Sequence, residues 1–259
     1  CWLSGKSWRS EIALTWRKNM SYIRGIEDNQ NLIKKRTIEN HEKEISLCNE
    51  GISLLADAYT LLDGTDFLIT KEHAVRLLIW GYLGAVQSTF LWCFSAACTG
   101  QYRISIVILR VLIEEIITSH YFIKYPEKAF ETIDRASKNA NISRVRFEPD
   151  IYKKFNAVGI KQNDSLYKFY QEISERYSHS SSTALPFHFD DEQRQILVEE
   201  PIYKVESFTK IATYILRLMA KMILFIQITF PEIDTLSPKW SEKSKKLHNE
   251  IMRRENQSS

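Results

Sequence analysis

Two groups of side chains in this 259-residue chain have the types and spacing to do chemistry. The first is Arg110 with Glu114, set in the run Leu109-Arg110-Val111-Leu112-Ile113-Glu114-Glu115. Four residues apart, the two side chains share one face of a helix. A charge in apolar surroundings is costly unless paired, and arginine cannot shed its proton. The pair is therefore expected to lie buried, joined to each other or to the second group. It serves either as an ion pair fixing a bundle or as the wall of a polar pocket, its guanidinium open to a phosphate or carboxylate. Glu115 and His120 are further inward-facing positions. The second group closes a helix and comprises Tyr170, Ser174, Arg176 and His179. A histidine at a helix C-terminus is stabilised as the cation by the helix dipole, so capping accounts for it alone. The same segment turned toward Arg110 and Glu114 would make a donor set. The catalytic candidates are thus Arg110, Glu114, Arg176 and His179. The ligand-binding candidates are Arg110, Glu114, Tyr170, Ser174 and His179.

Other chemistry is largely excluded. The chain has no Gly-rich phosphate loop, no Gly-x-Ser-x-Gly and no His-Glu-x-x-His. His179, His188, Asp190 and Asp191 repeat no metal-ligand spacing and read as part of an acidic loop, so neither metal nor cofactor is expected. The adjacent pairs Glu114-Glu115 and Glu199-Glu200 diverge on a helix or strand. Cys1, Cys48, Cys93 and Cys98 form no Cys-x-x-Cys, and Cys93 and Cys98 read as small buried hydrophobes. A reducing compartment, the cytoplasm, fits them. Trp2 and Leu3 after Cys1 speak against a lipid anchor there.

The elements that must position these residues are helices. Glycine (8) and proline (6) are scarce, and no proline precedes Pro126. A mixed-charge helix over about 10–62 carries Ile33, Ile38, Ile45, Ile52 and Leu55 near a seven-residue period, with a break expected near Gly25 or Gly51. Thr70 opens a second helix, which Gly100 stops. The third runs over Tyr102–Lys124 to Tyr125-Pro126. It is apolar nearly all round; its β-branched run Ile104–Leu112 competes with a strand, but length and charge spacing favour a central buried helix. A short helix over Pro126–Asn139, an irregular Ile142–Gly159 and a helix over Asp164–Ser178 follow. Ser180–Pro201 reads as a loop with a short hairpin, Ile202–Phe230 as a long helix. The expected fold is an all-α bundle of six or seven helices with at most a small β-hairpin. Residues 1–235 form one domain and 236–259 a charged C-terminal helix or tail.

Of 35 basic and 32 acidic side chains, the segment Pro238–Ser259 holds six and three, which accounts for the whole net charge of +3. The balanced body argues against a broad nucleic-acid footprint. Trp80, Phe90, Trp92, Tyr121, Phe122 and Phe225 sit at helical spacing, as core rather than a base-stacking platform. In Phe208–Phe230, Lys210, Arg217 and Lys221 fall on one helical face, the pattern of a bundle helix with one wet edge and not of a bilayer span. The apolar stripe of the N-terminal helix must be buried, on the bundle or on a second copy. A homodimer using this helix or the C-terminal one is the expected assembly.

The residues from Gly100 to Lys128, with Leu109-Arg110-x-Leu112-x-Glu114 and Tyr121…Pro126-Glu127, resemble an uncharacterised all-helical prokaryotic family. That family pairs an Arg-x-Leu-x-Glu helix with a later Tyr…Ser…His helix end, matched here by Tyr170, Ser174 and His179. The resemblance spans roughly Leu78 to Thr183. It implies a helical bundle and an intracellular binding or assembly protein of the kind met in bacterial defence or toxin systems. A bundle analogy to HEPN ribonucleases gives the alternative, a nuclease or nucleotide-processing enzyme using an Arg/Glu/His pocket. The signature of those enzymes is Arg, four to six residues, His. Arg36…His41 has that spacing, but about one such match is expected by chance in a chain of this composition.

Overall fold

The computed structural model describes residues 7–63, 70, 72–138, 150–177, 189–190, 195–196 and 201–258, with side chains for 24–63, 70, 72–135, 150–175 and 201–254. The fold is all-α. Ten helices occur among the described residues: α1 Ser7–Asn40, α2 Glu42–Leu62, α3 Ala74–Cys98, α4 Tyr102–Lys124, α5 Pro126–Lys138, α6 Ile151–Ala157, α7 Ser165–Tyr177, α8 Val205–Thr229, α9 Ile233–Leu236 and α10 Pro238–Ser258. The expected six or seven is too few, for two reasons. Two of the helices, α6 and α9, are only seven and four residues long. The long N-terminal helix is also divided, at neither Gly25 nor Gly51 but at His41 (φ −133°, ψ 33°). Backbone bonds still cross that point, from His41 N to Thr37 O and from Ile45 N to His41 O. The break coincides with burial of the His41 ring against Phe208. A two-residue antiparallel ladder, β1 Phe189–Asp190 with β2 Gln195–Ile196, matches the small hairpin.

The core is built by α2, α3, α4 and α8. Tyr102 lies by Lys204 and His120 by Phe225, so α4 and α8 run parallel. Gly51 lies by Met219 and His41 by Phe208, so α2 runs with them. Phe94 meets Phe208 and Arg76 meets Glu232, so α3 runs opposite. Gly51 marks the close crossing of α2 and α8: a Cβ there would stand 2.5 Å from Met219 Sδ. Thr70 Oγ1 accepts the His73 N–H just ahead of α3. Gly100 ends α3 at φ +76°, where the approach of the Ile202 backbone leaves no room for a side chain. The β-branched run of α4 is helical throughout although Ile104, Val107 and Val111 are exposed; the packing of the whole helix on α3 and α8 overrides local preference.

The N-terminal stripe is largely consumed inside the molecule. Ile33 and Leu55 are buried, Ile45 and Ile52 pack on the core, and Ile38 alone of the five is exposed. The segment beyond residue 236, expected as a charged helix or tail, is a helix packed on α2 and α8. Trp240, Leu247 and Ile251 of α10 are buried, and Trp240 Nε1 donates to Leu54 O at 2.8 Å. Both α3 and α8 are long and apolar enough to cross a membrane; 33% of that stretch of α3 and 61% of that of α8 are buried within the bundle. Cys48, Cys93 and Cys98 are free and buried.

Candidate functional site

Arg110 and Glu114 lie on the flank of α4 that faces α7. Arg110 Nε donates to Glu114 Oε1 at 3.0 Å, and the Tyr170 hydroxyl donates to the same oxygen at 2.7 Å. The guanidinium stands 5.8 Å from the centre of the Tyr170 ring. Tyr170 is itself buried, edge-on to Tyr152 and tilted against Phe155. Arg110 and Glu114 are not: their side chains are 36% and 39% exposed. The expected contact is present and the expected burial is not, because α7 covers only one side of the pair.

Electrostatics keep the Tyr170 phenol and the Arg110 guanidinium protonated. Burial pushes the Tyr170 phenol up to about 12, and the bond to Glu114 with its charge pushes the same way. Burial works against the Arg110 cation, but its bonds to Tyr170 and Glu114 outweigh that and raise it. Ser174 Oγ is buried beside the Tyr152 and Tyr170 hydroxyls without a well-formed hydrogen bond. Arg176 and His179 lie outside the described side chains, so the donor set is placed only as far as Tyr170 and Ser174.

The structure adds groups that sequence reasoning passed over. Lys154 of α6 is buried, 6% exposed, and its ammonium donates to Thr118 Oγ1 on α4 at 3.0 Å. Burial lowers its affinity for the proton, and the Glu114 charge opposes that only in part. A signal for α6 was present: Asp150 follows Pro149, and its Oδ1 accepts the Tyr152 N–H as a helix cap. Glu115 lies on the α3 side of α4. Its Oε2 is buried without a hydrogen bond, and burial first, then the Glu114 charge, pushes it up to about 7. The neighbouring Tyr82 phenol is pushed up to about 12 by its own burial and then by Glu115. His120 is held below its ordinary value by burial and by Lys221 and Lys124.

What this arrangement does chemically is clamp. One carboxylate oxygen takes two donors, the phenol stays protonated, and the guanidinium is tied to both. The Arg36/His41 spacing makes no site, since Arg36 is exposed and His41 buried. No cluster of three or more His, Cys, Asp or Glu side chains suited to a metal occurs among the described residues.

The aromatic residues expected in the core divide. Phe90, Tyr121, Phe122 and Phe225 are buried and Trp80 is half-buried, but Trp92 is 65% exposed. It belongs to an apolar row on the outer face of the α3–α4 hairpin. Cys93 Sγ donates to Ser105 O where these helices touch, and Trp92 and Ile104 flank that contact on the same side. Val107 and Val111 continue the row along α4, all of them exposed. Compared with protein-family models, with curated proteins and with solved structures, the chain matches none.

Proposed function

We propose that this chain is a non-enzymatic helical assembly protein that docks a protein partner on the outer face of α4. The observation that carries the reading is the row Trp92, Ile104, Val107 and Val111. These exposed side chains lie together in a bundle that otherwise turns most of its large apolar residues inward. Exposed apolar side chains scattered singly need no explanation, whereas a contiguous row rimmed by charge is the usual mark of an interaction surface. The Arg110–Glu114–Tyr170 clamp supports the reading by fixing α7 at the edge of that face. The reading is consistent with an intracellular component of a defence or toxin-type system, as the family resemblance implies.

The test is a photo-crosslinking amino acid placed at Val111 in the full chain and illuminated in its native cells. A covalent adduct to a polypeptide is expected from Val111 and not from the exposed Lys239 on α10. No adduct at Val111, or equal adducts at both positions, would refute it.

A further inference from the structure

The face just described carries charges as well as apolar side chains, and their order identifies what fits it. Arg103 stands exposed at the N-terminal end of the row and makes no ion pair with any described residue. Glu114 stands at the C-terminal end. Its Oε1 is taken by Arg110 and Tyr170, while Oε2 accepts from no described residue and the side chain is 39% exposed. Arg103 and Glu114 are eleven residues apart, three turns of one helix, and flank the row on the same side of it. Between them lie Ile104, Val107 and Val111.

A surface with a guanidinium unpaired among the described residues at one end, a carboxylate with one oxygen left open beside its Arg110 partner at the other, and apolar side chains between complements a copy of itself turned end for end. We propose that a second copy of this chain is the occupant: α4 packs antiparallel on α4 about a two-fold axis beside residues 108–109, each Arg103 meeting the partner's Glu114. The proposal rests on the docking-face reading and names its partner. The symmetry makes each attractive pair occur twice from one pair of residues, as an isologous contact requires. It also sets the two helix dipoles side by side and antiparallel. Trp92, beside Ile104 at the Arg103 end, extends the contact over the partner's α4 toward its Glu114 end. The apolar row supplies roughly half of the ~800 Å² that one side of a standard interface buries, so the dimer is a modest one with Kd on the order of micromolar. This contact uses neither the N-terminal stripe nor α10, both of which the fold has already packed.

The experiment is sedimentation equilibrium on the purified full chain. The weight-average mass should rise from one chain toward two over ~1–100 µM, the range a micromolar Kd requires. Val107→Asp places a charge at the centre of the face without touching the core. It should stay a single chain throughout while its circular dichroism matches the parent. Arg103→Glu turns both end pairs from attraction to repulsion and should weaken the dimer about tenfold. A single-chain mass at every concentration would overturn the proposal, as would a Val107→Asp or Arg103→Glu protein that dimerises like the parent. Failure of the two ideas is distinguishable. A monomeric pure chain together with a Val111 adduct to a different polypeptide sinks self-association and leaves the docking face. The absence of any adduct sinks the docking-face reading, and together with a single-chain mass it sinks both.

Discussion

Replacing Lys154 by methionine should make this protein more stable. Lys154 is a buried cation whose ammonium, among the described residues, hydrogen-bonds to a neutral hydroxyl alone, Thr118 Oγ1 at 3.0 Å. Taking an ammonium out of water costs several kcal/mol even after relaxation, and a hydrogen bond to a charged donor returns about 1.5–3 kcal/mol. The Glu114 carboxylate contributes attraction, but Glu114 is shared with Arg110 and Tyr170 and partly exposed, so the effective dielectric is high. Met keeps the length and the apolar stem and removes the charge. The expected gain is about 1–2 kcal/mol at pH 7, read as a shift of the urea midpoint at constant slope. In a chain this size that is about 2–8 °C in Tm. The pH dependence fixes the cause. The folded lysine binds its proton less readily than the unfolded one. In the window between the folded value and the ordinary 10.5, the unfolded chain therefore holds more protons, and the parent gains stability as pH rises. The advantage of Lys154→Met should accordingly be full at neutral pH and shrink toward pH 10.5. A variant less stable than the parent by 1 kcal/mol or more would refute the reasoning. It would mean that the ammonium and Glu114 form an ion pair worth more than its desolvation.

Five further substitutions have expected outcomes. Arg110→Ala should cost only about 0.5–1.5 kcal/mol in urea unfolding, because the pair is over a third exposed, and Tyr170→Phe about 1 kcal/mol for the lost bond to Glu114; a loss of 3 kcal/mol for Arg110→Ala would instead indicate a sealed pair. Glu115 keeps its proton to higher pH folded than unfolded, so stability should fall as pH rises from about 4.5 to about 7, and Glu115→Gln should flatten that limb of a stability-versus-pH curve. Gly51→Ala should destabilise by about 1–3 kcal/mol, since Met219 must move aside, whereas Gly25→Ala, with nothing within 4 Å, should stabilise α1 by about 0.5–1 kcal/mol, both measured by thermal unfolding.

The sequence makes the helices legible where proline, glycine and periodicity punctuate them. Gly100 and Pro126 bound α4, and Tyr102–Lys124 is helical to the residue. The break at His41 has no such punctuation. It coincides with a long-range contact, an imidazole buried on Phe208 over 160 residues away, which no local pattern encodes. The short α6 was masked by the irregular composition around it, and with it went Lys154. The contact of Arg110 with Glu114 and Tyr170 was legible, because four-residue spacing and the need of an arginine for an anion are local facts. Their exposure was not, because it depends on how much of α4 its neighbours cover. Trp92 failed for the same reason: helical spacing says which residues share a face, not whether another helix lies on it.

That gap between periodicity and coverage is where the functional argument sits. A helix apolar nearly all round is expected to be enclosed on every side. In α4, three sides meet that expectation. One packs on α3, one on α8, and the flank toward α6 and α7 is closed at its C-terminal half by the Lys154–Thr118 bond and the Arg110–Glu114–Tyr170 clamp. The remaining side, Ile104, Val107 and Val111, is as β-branched as the rest and has no neighbour among the described residues. Nothing in the internal packing requires valine or isoleucine there; a helix edge facing water would carry polar residues at no cost to the bundle. The composition of α4 is thus that of a helix with four covered sides, of which the described residues cover three. A cover for the fourth side is what the proposed second copy supplies, and Arg103 and Glu114 Oε2, which pair with no described residue, stand at the two ends of the same face to meet its charges.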